Sequence, residues 1–285
     1  MKKIISLLTA AVLTLTFAGC SSSPAASSGK ASAASSGDTS WEKVGSAGKL
    51  TLGLDKSFPP MGYIDPKTGE LTGFDIDLAQ EACKRLGVEL KLQPIDWDNK
   101  TAELNNGNVD CLWNGFSKTA ERDKEFALSV PYMKNHQIIL VKSGSSARGL
   151  GDLSGKTDGV QADSSAETAL NGNADFKKSL KNVVKIDDYS KAVLEIQNGT
   201  IDAIAIDEIV ARYYLTNNPG AYAVLKGEDG KDASLATEDY VVAFRKADGA
   251  LKKKVEAALK EMAADGTMAK ISEKWFSSDV TTIGK

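Results

Sequence analysis

The sequence is poor in the residues that most enzymes and metal sites are built from. Among its 285 residues it has one histidine, His136, and three cysteines, Cys20, Cys83 and Cys111. A lone imidazole in a polar connecting stretch cannot complete a Ser-His-Asp or Cys-His pair at a strand end. No Cys/His cluster has the spacing of a zinc site. The glycines form neither a P-loop nor a dinucleotide fingerprint. No cofactor and no metal are expected. Positive charge in excess is lacking as well. Of 35 Lys and Arg, Lys2 and Lys3 belong to an N-terminal leader, so 33 basic residues face 38 acidic ones and the net charge is −5. That balance argues against nucleic acid and against an anionic membrane surface as partners. Beyond the leader, no apolar run approaches the ~20 residues that span a bilayer.

The start of the chain reads as a targeting segment. Lys2-Lys3 is a basic opening, Ile4 to Phe17 an apolar core, and Ala18-Gly19 the small residues before a cleavage site, so residues 1–19 are expected to be a signal peptide. Residues 20–40 are nearly all Ser, Ala and Gly and form a flexible tether. About 245 residues remain, enough for two modest cores. Cys83 falls in a helical pattern and Cys111 in a buried strand. They read either as two free core thiols or, since an exported chain allows it, as a disulfide.

The first half alternates strand and helix. Lys49 to Leu54 reads as a strand ending at Asp55, and the Pro59-Pro60 stretch from Ser57 to Tyr63 as an irregular loop. A helix begins at Asp75 or Asp77 and stops at Gly87, with Phe74, Leu78, Ala82 and Leu86 on one face. Glu89 to Pro94 is a second strand that delivers Asp96-Trp97, and Thr101 to Asn106 a second helix. The stretch from Asp110 to Arg122 then reads as a short buried strand, a turn at Gly115, and a helix N-capped by Thr119. In open α/β sheets ligands bind at such strand ends. Arg122 there is either a solvated helix residue or a fork of donors reaching back for a carboxylate.

The second half repeats the first. Glu103-Leu104-Asn105-Asn106-Gly107-Asn108-Val109-Asp110 is echoed 92 residues later by Glu195-Ile196-Gln197-Asn198-Gly199-Thr200-Ile201-Asp202. Gly48-Lys49-Leu50-Thr51 is echoed by Gly155-Lys156-Thr157-Asp158. Two such units predict two similar lobes with strand ends converging on a cleft. Their expected bounds are 41–131 and 241–285 for the first lobe and 137–235 for the second, with hinges at 132–136 and 236–240. Lys252 to Lys254 reads as the solvated face of a helix that buries Leu251, Val255, Leu259 and Met262.

The run Asp110 … Asn114-Gly115-x-Ser117-x-Thr119-x-x-Arg122 closely resembles the ligand-gripping segment of the solute-binding proteins of polar amino-acid ABC transporters. Gly73-Phe74-Asp75-Ile76-Asp77-Leu78, Asp96-Trp97 and the C-terminal Trp275-Phe276 resemble the same family. The resemblance spans residues 41 to about 280. It implies a two-lobed type II periplasmic-binding-protein fold of α/β class, each lobe a doubly wound, mostly parallel sheet, with two hinge crossings. It implies that Arg122, the Ser117 N–H and the turn at Ser164-Ser165 hold an α-carboxylate. Asp207, the Ser117 hydroxyl and the carbonyl of Asn114, next to Gly115, would hold an α-ammonium. Phe58 and Trp97, otherwise plain core aromatics, would flank the ligand side chain, and Asp55 and Gln161 would meet its polar end.

The implied role is that of a receptor, not an enzyme. It would capture a free, polar amino acid by hinge closure and pass it to a permease with a cytoplasmic ATPase. Cys20 would be lipid-modified and hold the chain at the outer face of the membrane, or in the periplasm, as a monomer. Phe17 stands where such lipoproteins usually have Leu. Asp163 stands where relatives mostly have Gly, and an acid at Asp158 is unusual inside a strand. A sensor domain of the same fold, or a dehydratase related to it, are the competing readings.

Overall fold

The computed structural model describes residues 37–285; the expected signal peptide, Cys20 and most of the tether lie outside the described residues. Helix Ser40–Ala47 leads into strand Lys49–Leu54, and it is fastened to the late helix Gly249–Ala264. The Ser40 hydroxyl accepts from the Leu251 N–H at 3.0 Å, and the Asp38 carboxylate accepts from the Ala250 N–H.

One sheet runs through both lobes. Its order is Asn182–Ile186, Thr157–Gln161, Ala203–Asp207, Met133–Lys142, Ser234–Arg245, Cys111–Ser117, Lys49–Leu54 and Glu89–Pro94. The outer strands of each lobe pair in parallel, as strands joined by crossover helices must. The two central strands run antiparallel to each other, from Met133 opposite Tyr240 to Ile138 opposite Ser234. But for Tyr132, the residues expected as hinges lie inside these long strands, so they are sheet rather than open loop.

The repeat is carried by identical hydrogen bonds. In lobe one the Asp110 carboxylate accepts from the Thr51 N–H at 2.8 Å, and the Asp110 N–H donates to the Thr51 carbonyl at 2.7 Å. In lobe two Asp202 does the same with Thr157, at 2.9 and 2.8 Å. Each acid follows a helix closed by a left-handed glycine or its neighbour, Gly107 or Gly199, and locks the next strand to the first.

Three local expectations are corrected. Ser57 to Tyr63 is not irregular throughout, because Ser57–Phe58 and Gly62–Ile64 pair as a hairpin, joined by Leu71–Thr72 in a small second sheet. The two prolines sit at its tip, where no ladder bond is required of them. Gly115 lies within strand Cys111–Ser117 rather than in a turn. It takes φ +57°, and pairing with the neighbouring strand shifts register there, so it is a bulge; a Cβ would lie 2.6 Å from the Phe58 ring. The helix expected from Asp75 or Asp77 starts at Phe74, which puts both acids in its first turn. Asp77 accepts from the Trp275 indole at 2.7 Å, and Phe276 packs on Phe74, so the C-terminal pair clamps that helix.

Cys83 and Cys111 are free buried thiols. Among the described residues, no helix is long and apolar enough to cross a membrane.

Asp158 is wholly buried in lobe two and neither of its carboxyl oxygens has a hydrogen-bond partner. Burial pushes its pKa from 3.8 up to about 8. The folded chain therefore holds this proton more tightly than the unfolded one. The associated stability is full below the unfolded value and is lost as pH rises through about 8. Asp158→Asn removes the titration. The parent should melt progressively earlier from about pH 5 to pH 9, and the variant should keep about 2–4 °C more for each kcal/mol of this penalty removed. Melting curves that fall in parallel across this range would show that Asp158 carries no such cost.

Candidate functional site

The ends of strands Lys49–Leu54 and Cys111–Ser117 in lobe one face the turn before helix Ser165–Gly172 and the end of strand Ala203–Asp207 in lobe two. The lobes are in contact along this line. Gln161 donates to the Asp55 carboxylate at 2.6 Å, and the Ser165 hydroxyl donates to that of Ser117 at 3.0 Å. Phe58 packs on Tyr189 at 5.7 Å between ring centres.

Arg122 is positioned by its own helix. The Thr119 hydroxyl accepts from the Arg122 N–H at 3.2 Å and starts the helix, as its pattern predicts. The guanidinium lies 4.4 Å over the Phe116 ring. It donates to the Ser117 carbonyl at 3.0 Å and, across the cleft, to the Asp163 carbonyl at 3.3 Å. It is buried, and the loss of water pulls its pKa below the ordinary value. The carboxylate charges of Glu238, Asp163 and Asp207 pull the other way.

Asp207 is the opposite pole. One of its oxygens accepts from Asn135 at 2.7 Å, Gln137 at 2.8 Å and the Tyr240 hydroxyl at 2.7 Å; the other accepts from Tyr189 at 3.2 Å. Burial, then the nearby Glu238 charge, pushes its pKa up to about 7 against these donors. Asp55 rises to about 6, chiefly by burial and despite bonds from the Ser57 N–H and Gln161.

Ser164 caps helix Ser165–Gly172, its hydroxyl accepting from the Glu167 N–H at 3.1 Å, which aims the first N–H groups of that helix at the cleft. Asp163 just before it adopts φ +54°, the left-handed region that favours glycine and that Asp tolerates better than most side chains. Its carboxylate points outward, 63 % exposed, and pairs with Lys100, whose side chain is 2 % exposed. Lys100 also donates to the carbonyls of Trp97 and Asp163. This acid is thereby turned away from Ser164 and forms a bridge between the lobes.

The remaining expected residues divide. Asn114 accepts from the Asp55 N–H at 3.0 Å and abuts Gly62, where a Cβ would lie 2.5 Å from its amide nitrogen, so its side chain ties the strand end to the hairpin. Trp97 packs on Phe116 in a cluster with Leu104, Val109 and Leu112, whereas Phe58 packs on Tyr189; the two rings have different partners.

Several contributors carry no motif in the sequence. Asp75 is fully buried and accepts from the Gly115 N–H at 2.7 Å and the Tyr132 hydroxyl at 2.9 Å, fixing the bulge; burial raises it to about 7. Its place in Gly-Phe-Asp-Ile-Asp-Leu marked it only as a helix start. Asn135, Gln137, Glu238 and Tyr240 stand on the two central strands; strand Ala203–Asp207 pairs with Met133–Lys142 and puts Gln137 opposite Asp207, and Glu238 and Tyr240 come in on Ser234–Arg245, paired with that same strand. His136, beside them, faces outward and lies 2.9 Å from Glu208.

Residues 50–278 match the model of the bacterial extracellular solute-binding proteins, family 3. The L-cystine-binding protein TcyJ of Escherichia coli K12 is 34 % identical over 241 residues, 84 % of this chain and 86 % of that one. The arginine-binding extracellular protein ArtP of Bacillus subtilis is 33 % identical over 283 residues, 98 % of this chain and all of that one. Among solved structures, an ABC uptake transporter substrate-binding protein from Streptococcus pneumoniae with bound histidine superposes with a TM-score of 0.81 at 38 % identity, covering 87 % of this chain and 99 % of that one. With its two lobes on one sheet and its buried guanidinium facing a buried carboxylate across the cleft, the chain belongs to the bacterial extracellular solute-binding proteins, family 3.

Proposed function

We propose that this protein is the amino-acid-capturing component of an ABC importer, closing its lobes on a free amino acid outside the cytoplasm and handing it to a membrane permease driven by an ATPase. The observation that carries this reading is the opposition of Arg122 and Asp207. They belong to different lobes, both are buried, and their separate polarities match a zwitterion. Its relatives include proteins named for cystine, arginine and glutamine binding and a structure holding histidine, all amino acids of polar or extended side chain.

In this reading the ligand carboxylate lies between Arg122, the Ser117 N–H and the Ser164-Ser165 turn, and its ammonium on Asp207, the Ser117 hydroxyl and the Asn114 carbonyl. Phe58 and Trp97 flank the side chain, and Asp55 with Gln161 meets its end. A ligand that touches both lobes favours the closed state through its differential affinity, so both charged groups are needed for closure. The expected leader and Cys20 support a lipid-anchored form tethered through residues 20–40.

Truncating Arg122 to Ala leaves a carboxylate buried without its partner, a loss of about 2–5 kcal/mol. Affinity for the best amino acid should fall between ~30-fold and several-thousand-fold. Lys at 122 should restore only part of it, because an ammonium cannot make the bidentate pair. Calorimetric titration measures both, and an Arg122→Ala protein that binds within threefold of the parent sinks the reading of this residue. Cys20→Ser should shift the protein from the membrane fraction to the soluble extracytoplasmic fraction. Equal membrane retention of parent and variant would remove the lipid anchor from the proposal.

A further inference from the structure

The inner wall of the cleft holds more acceptors than the zwitterion of an amino acid can use. Asp55, Asp207 and Glu238 are 5 %, 1 % and 9 % exposed; Arg122 is the buried cation that acts on Asp207 and Glu238, while beside Asp55 the charges of Lys56 and Asp188 oppose each other. Lys100, the other buried cation of this region, is engaged by Asp163 on the rim. Glu238 and Asp207 share donors: the Gln137 amide reaches Asp207 at 2.8 Å and Glu238 at 2.9 Å, and the Asn135 amide reaches them at 2.7 and 3.5 Å. These bonds fix which end of each amide is nitrogen. The opposite ends, Asn135 Oδ1 and Gln137 Oε1, are buried acceptors without a partner. Tyr189 and Tyr240 both donate to Asp207 and contribute no positive charge.

Three carboxyl groups stand against one guanidinium, so the wall keeps more negative than positive charge even with Asp55 and Asp207 raised by burial, and two of its amide oxygens have no donor. A neutral zwitterion leaves that excess unchanged, because its own carboxylate offsets its ammonium. Buried charge without a counter-charge is costly, and so is a buried acceptor without a donor. A second cationic group relieves both.

We infer that the ligand is an amino acid with a cationic side chain, and that Glu238, on the return hinge strand, is the residue that with Asp207 and Asp55 sets this preference. The inference rests on the amino-acid-binding reading above. It gives the two hinge strands a part in recognition as well as in motion, since Asn135, Gln137 and Glu238 all project from them toward Asp207. Arg122 is the cation on which the ligand carboxylate lands. Glu238 offsets that cation from the other side and so keeps the pocket negative.

The test is calorimetric titration of the mature chain with L-arginine, L-lysine and L-glutamine, the last a neutral amide of comparable shape. The parent should bind arginine or lysine at least tenfold more tightly than glutamine. In Glu238→Gln the ratio of cationic to neutral affinity should fall by tenfold or more, and Glu238→Asp, which keeps the charge, should hold most of it. A parent that prefers glutamine overturns the inference and leaves the amino-acid-binding reading standing. A Glu238→Gln protein that weakens all three ligands by the same factor makes Glu238 a support of the hinge and likewise overturns it. Binding of none of these or of any other amino acid overturns the reading of function itself.

Discussion

The structure depends on one buried carboxylate. Asp207 closes a strand of lobe two, yet three of its four donors, Asn135, Gln137 and Tyr240, come from the two strands that join the lobes. A buried acid needs such company, because its charge is expensive wherever water is excluded. Here the company is supplied by long-range strand pairing: Gln137 lies opposite Asp207 itself, and Tyr240 arrives on a strand paired with the one that carries Gln137. The strands that join the lobes thereby also hold this acid.

The same economy appears at the other pole. Arg122 lies on an aromatic ring, starts from a capped helix and donates to the carbonyl of Ser117, so its direction is fixed before any ligand arrives. Asp75 holds the bulge at Gly115 from behind. The bulge matters because it changes which way the residues after it point, and Ser117 is one of them. A site assembled in this way loses little rotamer freedom when it binds.

Much of this was legible in the residues. The Asp110 and Asp202 echoes are visible because each acid does the same local task, and local tasks leave local patterns. Thr119 and Gly87 declare helix ends for the same reason. Strand Glu89–Pro94 falls where its pattern puts it. The hairpin around Pro59-Pro60 was hidden, because strands of two and three residues are too short to show alternation. Gly115 looked like a turn, since a glycine signals freedom at φ without saying whether the chain bends or bulges. Asp75 and Glu238 were the hardest. An acid in a helix start or on a polar strand reads as exposed until the pairing of distant strands buries it. Asp163 is unusual in the sequence, and Lys100, which no pattern marks, is what draws its carboxylate outward.

The short helix Ser40–Ala47 has a mechanical consequence. It is bonded to helix Gly249–Ala264, so the beginning of the described residues is fastened to a helix near their end. A force applied at residue 37 would thus enter through two helices that already brace each other, not through a lone strand end.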